Sequence, residues 1–520
     1  MQDTLISGGL AFLPGCDPHA PPARDILVRD GRIAIIDGPD ENGAAKDELR
    51  RRAVGGEARV VDAAGLLVLP GFVNAHYHSY DVLQKGLLED MPFDVWALHS
   101  QPAYLGPRSA RELRLRTLIG AVDCLRHGIT TVQDMNSLVP MDEPTLDTIL
   151  AAYAESGLRV VFSAAVRDVA ALDIAPFLPS GAPAEVHALV GGTPADAQEQ
   201  LRFVEAQIRR LDPLPPWLGW ALSPSGPQRS SRTLLEGIAS LSERYGLPVL
   251  THVYETRAQA AKARALYGAQ GGSMLRWLQE VGLLHERLTI VHGVWLQDEE
   301  IALLGEARAG LAHNPVSNLK LKSGVAPMRR VIDAGVNIAL GCDNCSCGDC
   351  QSMFTAMKLL CLLTAAADPN PTGVLAADAI AAATTGGARA VGLEGVVGAI
   401  APGMQADLLF LDLRDIAYLP LNSAARQVVF AESGRGVHSV MVGGRMVLDA
   451  GRVTTLDEAA LREEAAAVMP GFRRDYAQQA RRAATATSWL LEANRRVADH
   501  GLDAGTGGLG AGGLDRFIPG

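Results

Sequence analysis

Histidine and aspartate residues follow several apolar segments that lie far apart in the chain: His76 and His78, His252, His292 and Asp343. In an extended segment residues i and i+2 point to the same side, so His76 and His78 direct two imidazoles towards one place. Three neutral imidazoles and a carboxylate suit a borderline divalent ion, Zn²⁺ or Fe²⁺, better than Mg²⁺ or Ca²⁺. The pattern predicts a divalent metal centre, with zinc favoured.

A metal centre of this kind performs hydrolysis when acids stand beside it. A divalent ion lowers the pKa of bound water from about 15.7 towards about 7 and so generates hydroxide at neutral pH. An amine leaves poorly unless it is protonated, so a second acid is needed. Glu255 and Asp343 supply two carboxylates from different segments. The alternatives are a surface glutamate that opens a helix and an aspartate in a turn.

The middle of the chain, about residues 66–395, alternates short apolar runs with longer helical segments, which is typical of βα units around a parallel sheet. Eight such units predict a (β/α)₈ TIM barrel, whose active site lies at the C-terminal ends of the strands. A doubly wound open sheet is second choice, since no glycine-rich phosphate loop follows the first strand. The predicted strands are Leu67–Asn74, Ile129–Asp134, Arg159–Ala164, Trp217–Ser223, Pro248–Val253, Leu288–His292, Gly310–His313 and Val336–Asp343.

Both ends of the chain have β character. A hairpin is predicted at Asp25–Asp37 around Asp30-Gly31, and Ala406–Leu413 and Ser439–Val453 resemble strands. We therefore expect a small β-sandwich built from both ends, α/β overall: residues 1–65 and 396–455 form the sandwich and residues 66–395 the barrel. Residues 456–520 are predicted to be a helical segment followed by a glycine-rich tail.

Composition excludes several classes of protein. The 520 residues are 48% apolar and 20% charged, enough for a large core. Lys and Arg number 47 against 58 Asp and Glu, and the net charge of -11 argues against nucleic-acid partners. The chain has no apolar run long enough to span a membrane and no basic segment before its first apolar run. Seven cysteines in a chain of this size favour free thiols and a cytoplasmic protein.

Five segments, in this order and spacing, resemble the amidohydrolase superfamily: LPGFVNAHYH, THVYE, VHG, AHNPVSNLKLKSG and LGCDN. The most similar branch holds cytosine deaminase, adenosine-type and guanine-type aminohydrolases, and the s-triazine hydrolases. The segment GAIAPGMQADLLFLDL resembles the return of that branch to its small β-sandwich. The resemblance covers about residues 1–455, and it is specific to the branch but not to a substrate.

The resemblance implies a role for each matching residue. His76 and His78 match the paired metal ligands, and His252 matches the third ligand. Asp343 matches the aspartate that binds the metal or its water and takes the proton of that water. His292 matches the histidine that hydrogen-bonds the attacking hydroxide or the substrate, and Glu255 matches the proton shuttle to the leaving nitrogen.

The chain departs from the family pattern at two places. Binuclear relatives carry a carboxylated lysine after strand four, where this chain has Ser223-Pro224-Ser225-Gly226-Pro227, so one metal ion per chain is expected. Ser225 stands where many nucleoside deaminases of the branch have a histidine, and it could line the pocket. The cysteines Cys342, Cys345, Cys347 and Cys350 suggest either a second metal site or, as the favoured alternative, small residues packing a tight loop.

Residues that could bind the substrate follow strands one and seven. Gln84–Trp96 would overhang the barrel mouth, where Trp96, Phe93, Met91 and Leu88 would form either an apolar lid or plain packing. Asn314, Ser317 and Asn318 offer neutral hydrogen-bond partners near the mouth. No arginine pair accompanies them, so the expected substrate is a small neutral molecule.

These observations predict a metal-dependent hydrolase of a non-peptide C–N bond that attacks its substrate with metal-bound hydroxide. Deamination of an N-heterocycle and cleavage of an amide, urea or carbamate remain equally weighted. Hydrolytic dechlorination of a triazine-like compound, or a non-catalytic scaffold barrel, are the alternatives. The resemblance also implies a homo-oligomer, a dimer or larger.

Overall fold

The computed structural model describes residues 2–37, 51, 58–367 and 373–499. Within these ranges the strands, numbered in chain order, are β1 (Asp3–Ala11), β2 (Ala23–Arg29), β3 (Arg32–Ile36), β4 (Ala58–Asp62), β5 (Leu66–Pro70), β6 (Phe72–His78), β7 (Ile129–Asn136), β8 (Arg159–Val166), β9 (Leu218–Trp220), β10 (Ser223–Pro224), β11 (Val249–Val253), β12 (Leu288–His292), β13 (Gly310–His313), β14 (Asn337–Leu340), β15 (Asp343–Asn344), β16 (Leu408–Asp412), β17 (Val437–Val442), β18 (Arg445–Asp449) and β19 (Arg452–Val453).

Several helices begin at a side chain that caps the first turn. Ser109, Asp142 and Ser231 each accept a hydrogen bond from the backbone N–H three residues further on. The helices within the described ranges are α1 (Phe93–Ser100), α2 (Pro102–Leu105), α3 (Ala110–Arg126), α4 (Glu143–Ser156), α5 (Ala184–Gly191), α6 (Ala197–Arg210), α7 (Arg232–Tyr245), α8 (Arg257–Leu266), α9 (Met274–Glu280), α10 (Asp298–Glu306), α11 (Pro315–Lys320), α12 (Met328–Asp333), α13 (Cys345–Gly348), α14 (Met353–Ala367), α15 (Ala376–Ala383), α16 (Thr385–Ala390), α17 (Ala424–Phe430) and α18 (Glu458–Asp499).

The middle of the chain forms the predicted (β/α)₈ barrel. Strands β6, β7 and β8 pair in parallel, and β9 and β10 both pair with β8. Strands β11 to β14 form the other parallel run, and a bridge between Leu222 and Val249 joins the two runs. Strand β15 pairs with the end of β6, which closes the ring beside His78. The C-terminal ends of the strands therefore meet at one face.

The predicted first barrel strand, Leu67–Asn74, is corrected by the structure. Strand β5 pairs with β1 and β16 and belongs to the sheet made by the chain ends, whereas the barrel strand is β6. Gly71 separates the two strands, and a Cβ added there would lie 2.2 Å from the Thr130 side chain. The close approach of backbone to Thr130 is what allows one extended segment to pass from one sheet into the other.

Both chain ends build one β domain, as expected. Its strands form a single nine-stranded sheet in the order β19-β18-β17-β16-β5-β1-β2-β3, with β4 paired to β1. The predicted hairpin is present, since β2 and β3 pair antiparallel across Asp30-Gly31, and both turn residues have positive φ.

The C-terminal helix α18 covers the segment that overhangs the barrel mouth. Ala486, Leu490 and Ala493 are fully buried in one cluster with Trp96 of α1, and Gln479 Nε2 donates to the Leu98 carbonyl at 2.6 Å. No helix within the described ranges combines the length and apolar content that a bilayer crossing requires. The predicted glycine-rich tail, residues 501–520, lies outside the described residues.

Candidate active site

Four histidines from three barrel strands converge at the C-terminal face. The ring centroids of His76 and His78 are 4.6 Å apart, and the centroid of His252 lies 4.9 Å from that of His76. The His292 ring lies 5.5 Å from His252 and 5.7 Å from His76. All four rings are buried. Residues separated by more than 200 positions thus share one small volume.

Backbone carbonyls orient two of these rings. His78 Nδ1 donates to the Met135 carbonyl at 2.6 Å, and His252 Nδ1 donates to the Ser225 carbonyl at 2.6 Å. With Nδ1 protonated, each Nε2 keeps a free lone pair, which is the tautomer that a metal ligand needs. Ser225 therefore serves the site through its backbone as well as lining the cavity with its side chain.

Asp343 brings a carboxylate to the same centre. Its Oδ1 lies 3.4 Å from His76 Nε2 and 3.3 Å from His78 Nε2, and its Oδ2 accepts a hydrogen bond from Ser317 Oγ. Burial opposes ionisation, but the adjacent imidazoles of His76 and His78 hold the pKa of Asp343 well below its usual range. The carboxylate is therefore ionised at neutral pH and available as a ligand or proton acceptor.

The donor set fits a divalent metal ion. Both ring nitrogens of His76 and Nε2 of His292 are buried without a hydrogen-bond partner. Ligand atoms of His76, His78 and Asp343 all lie within 4.8 Å of one another, as do those of His76, His252 and His292. Separations of 3.3–3.4 Å match the edge of a zinc tetrahedron, about 3.3 Å for ligands about 2.0–2.1 Å from the ion. Burial lowers the pKa of His76 to about 4, so its imidazole is neutral, as ligation requires.

Glu255 brings a second carboxyl group to His292. Its Oε1 lies 3.8 Å from His292 Nε2, and Asp343 Oδ2 lies 3.9 Å from the same nitrogen. Gln259 Nε2 donates to Glu255 Oε2 at 3.3 Å. Burial, together with the nearby Asp343 carboxylate, raises the pKa of Glu255 to about 8. The two carboxyl groups of the site therefore hold opposite protonation states at pH 7.

Backbone strain is concentrated at these strand ends. His292, Asp343 and Tyr254 have φ of +74°, +59° and +52°, a left-handed conformation that non-glycine residues rarely adopt. At each of these residues the positive φ changes the direction of the backbone next to the end of a barrel strand. Strain of this kind persists where the surrounding structure holds it in place and is common at functional sites.

The structure places Asn314 and Asn318, the predicted substrate contacts, next to the ring of His292. Neither residue lines the cavity. Asn318 Oδ1 accepts from His292 Nδ1 at 2.8 Å, and the Asn314 Nδ2 lies 3.5 Å from that nitrogen. Both amides therefore stand behind His292, and Asn318 orients its ring. The sequence predicted polar residues near the barrel mouth. It contained no pattern that predicts on which side of the His292 ring they lie.

A cavity of about 910 Å³ opens above the histidines, large enough for a nucleoside-sized ligand. Trp96 and Phe93 line it, whereas Leu88 and Met91 pack into the cluster behind them. Trp96 Nε1 donates to Ser346 Oγ at 2.8 Å, which fixes the indole over the site. The expected lid is thus formed by two of its four apolar residues.

Sequence reasoning missed a buried network of charges beside Glu255. Arg229 Nη2 lies 2.6 Å from Asp173 Oδ2, and Lys262 Nζ lies 3.0 Å from Asp173 Oδ1. The Arg229 guanidinium also lies over the Phe93 ring, 5.4 Å from its centroid. These residues lie in loops and helices without a common spacing, so no sequence motif marks them.

Two further arginines reach the cavity from segments that carry no recognisable motif. Arg167 and Arg202 line it together with Asp196 and Glu199, so charges of both signs line the cavity. The absence of an arginine pair after strand seven therefore did not predict the charged residues that line the pocket.

Asp94 is buried in the lid and gives the fold a pH dependence. Burial, with the charge of Asp173, raises its pKa to about 7, whereas an unfolded aspartate titrates near 3.9. The contribution of Asp94 to stability is therefore greatest at low pH and falls as pH rises towards 7, because the folded protein retains a proton on Asp94 that the unfolded chain loses. We expect Asp94→Asn to raise the free energy of unfolding at pH 8 by roughly 1–4 kcal/mol, and by less at pH 5.

Urea unfolding at both pH values measures this effect. Asp90→Asn, which changes an exposed carboxylate in the same segment, is the control and should leave both values unchanged. A gain for Asp94→Asn that is equal at pH 5 and pH 8 would disprove the titration.

Three cysteines of the string lie in the loop that follows β14 and in the short helix α13. Cys342, Cys345 and Cys347 are buried, and Cys342 Sγ lies 3.6 Å from Met353 Sδ. Among the described residues no group that could hold a metal contains more than one of these cysteines.

The model of the amidohydrolase family matches residues 67–447. The chain belongs to the amidohydrolase family. It is 32% identical over 439 residues to a 5-methylthioadenosine/S-adenosylhomocysteine deaminase of Pyrococcus furiosus, across 84% of this chain and 93% of the relative. This amidohydrolase is a metal-dependent enzyme that acts on C–N bonds other than peptide bonds.

Solved structures share its fold. An adenosine deaminase from Xanthomonas campestris with bound zinc is 27% identical, with a TM-score of 0.76 over 92% of this chain and 98% of that chain. An atrazine chlorohydrolase from Arthrobacter aurescens, complexed with zinc, is 22% identical with a TM-score of 0.76 over 90% and 100%. The second likeness concerns the fold alone.

Proposed function

We propose that this amidohydrolase is a zinc-dependent deaminase of an N-heterocycle. Zinc would be held by His76, His78, His252 and Asp343, one ion per chain. The observation that carries the proposal is the position of two carboxyl groups, Glu255 and Asp343, 3.8 Å and 3.9 Å from the same nitrogen of His292. Deamination needs a base for water and an acid for the leaving nitrogen, and these two groups would supply one each.

Zinc bound at this site would lower the pKa of a water molecule towards about 7. Asp343 would accept the proton of the attacking water through the oxygen that faces His76 and His78. His292, held by Asn318, would accept a hydrogen bond from the attacking hydroxide through Nε2. Glu255 would protonate a ring nitrogen beside the attacked carbon. The departing amine would then take the proton that Asp343 accepted from water, and the hydroxyl of the adduct would return a proton to Glu255.

An adenine-type base is the substrate class that best agrees with the relatives and the cavity. The Pyrococcus furiosus relative and the Xanthomonas campestris structure are both named as deaminases of adenine-type nucleosides. The Trp96 and Phe93 rings offer apolar contacts to a flat heterocycle, and the cavity extends well beyond the space a base alone would fill. Ser225 would contact the heterocycle as a weaker, neutral hydrogen-bond partner.

A substrate panel tests the proposal. The purified enzyme is incubated with adenosine-type nucleosides, free adenine, guanine and cytosine, anilides and a chlorotriazine, and products are read by ammonia release and mass spectrometry. Ammonia from a heterocycle supports deamination. Release of aniline supports amide cleavage instead, chloride release supports dechlorination, and no turnover of any member by zinc-loaded protein supports a scaffold barrel.

Metal removal has a predictable effect. We expect dialysis against a chelator to abolish turnover and one equivalent of Zn²⁺ per chain to restore it, because the histidines and Asp343 then lack the ion that activates water. Metal analysis by mass spectrometry and the initial rate are measured on the same samples. Two equivalents needed for full recovery would contradict a single-metal site.

We also propose a cytoplasmic homo-oligomer. All seven cysteines are free, which suits a reducing compartment. The oligomer rests on the family resemblance and is checked by light scattering of the purified protein.

A further inference from the structure

A second cluster of ionisable side chains lies outside the cavity, where α3 ends. It consists of Asp123, His127 and Cys350, whose ligand-type atoms all lie within 4.8 Å of one another. All three are partly accessible, and none lines the cavity above the histidines. The mechanism proposed above makes no use of them.

The geometry of the cluster is that of a thiol activated by a histidine. His127 Nδ1 donates to the Asp123 carbonyl at 2.8 Å and lies 3.4 Å from Asp123 Oδ1. With Nδ1 held in this way, Nε2 faces Cys350 Sγ at 3.3 Å. A base oriented by a third group and facing a nucleophile is the arrangement that activates cysteine.

The surroundings hold the imidazole in place and favour its charged form. A Cβ added at Gly434 would lie 2.7 Å from His127 Cδ2, so backbone packs directly against the ring. Burial opposes protonation, but the hydrogen bonds with Asp123 and Cys350 raise the pKa of His127 to about 10. Lys85 Nζ, 2.9 Å from Asp123 Oδ2, adds a second cation to the cluster.

A metal ion suits this cluster less well. Lys85 already neutralises the Asp123 carboxylate, which weakens that carboxylate as a ligand for a cation. The 3.3 Å separation of Nε2 and Sγ is also that of a hydrogen bond to sulfur.

We propose that Cys350, which gives its proton to the facing His127 imidazole when it reacts, is a site of reversible modification by small disulfides. The Cys350 sulfur attacks one sulfur of the disulfide, so that a new S–S bond forms as the old one breaks. The departing thiolate takes the proton of His127. Cys350 is oxidised and the released half of the disulfide is reduced to a thiol.

The modification would reach the active site through Gln351. Its backbone N–H donates to Asp123 Oδ2 at 3.2 Å, and its Nε2 donates to the Asp343 carbonyl at 3.3 Å. Its Oε1 accepts from Asn74 Nδ2 at 3.0 Å. An adduct on Cys350 displaces the neighbouring Gln351 and thereby the strand end that carries Asp343.

Site-resolved alkylation tests the reactivity of Cys350. The zinc-loaded protein is treated with iodoacetamide at pH 7, and the rate at each cysteine is read by peptide mass spectrometry. Cys16, the other partly exposed cysteine, is the internal reference, since the remaining five are buried. We expect Cys350 to react at least ~10-fold faster than Cys16, and His127→Asn to remove that advantage.

Three results would overturn the proposal. The first is equal rates at Cys350 and Cys16. The second is an unchanged Cys350 rate in His127→Asn or in Asp123→Asn, each checked for a native melting temperature. The third is a second equivalent of zinc in the wild-type protein that is lost in Cys350→Ser, which would make the cluster a metal site.

A separate experiment tests whether modification of Cys350 lowers the activity of the enzyme. Treatment with 2-hydroxyethyl disulfide should add one hydroxyethylthio group at Cys350 and lower kcat several-fold, and a thiol reductant should restore both mass and rate. Cys350→Ser should keep the untreated rate and be insensitive to the reagent. Full activity of the singly modified protein would disprove the connection through Gln351. If no substrate is turned over, the alkylation rates still test the reactivity of Cys350 independently of the proposed deamination.

Discussion

Glu255→Gln is expected to lower kcat by about 10²–10⁴-fold while the protein retains its metal ion. The amide has almost the same shape, so the contact with Gln259 and the packing around His292 persist. The variant has lost the proton that the raised pKa of Glu255 keeps available at pH 7. The measurement is kcat together with metal content on one sample.

The pH profile and a matched variant separate catalysis from folding. In the wild type, kcat/KM should fall as pH rises through about 8, because the ionised Glu255 has no proton to donate, and Glu255→Gln should lack this limb. Glu300→Gln is the control, since Glu300 is also a buried glutamate but bonds to Tyr254 and Ser273 away from the cavity. Near-wild-type activity in Glu255→Gln would remove Glu255 from the mechanism.

His76→Ala is expected to lose the metal ion and with it all measurable turnover. His76 is fully buried, its ring nitrogens have no hydrogen-bond partner, and it belongs to both histidine groups of the centre. Its removal therefore takes away a ligand without breaking a hydrogen bond of the fold. Zinc per chain should fall from one to a small fraction, measured after gel filtration in chelator-free buffer.

The control for this variant is His187→Ala, which removes an exposed histidine from α5. It should retain one zinc ion and full activity. Circular dichroism should show the same secondary structure for both variants. A stoichiometric, active His76→Ala enzyme would mean that the metal centre lies elsewhere.

The architecture and the converging side chains could be predicted because barrel topology turns sequence order into spatial proximity. Residues that end parallel strands meet at one face, so His252, His292 and Asp343 could be placed together without knowledge of any contact. The i, i+2 spacing of His76 and His78 likewise predicted that their two side chains point to the same side of one strand. These inferences depend on strand geometry, which is regular.

The features that could not be predicted from the sequence depend on tertiary contacts, which strand geometry does not determine. The boundary at Gly71 arises from close approach to Thr130, and the two residues are distant in sequence. The position of Asn318 behind His292 follows from the turn into α11, and the sequence pattern does not specify its direction. The Asp173–Arg229 pair joins two irregular loops, whose course depends on tertiary packing.

Anomalous diffraction from crystals of the zinc-loaded enzyme, recorded at the zinc edge, tests the central claim most directly. The account predicts one strong peak per chain, within about 2.0–2.2 Å of Nε2 of His76, His78 and His252 and of an Asp343 oxygen. A peak bound by other residues, or well-ordered histidines with no ion between them, would contradict it.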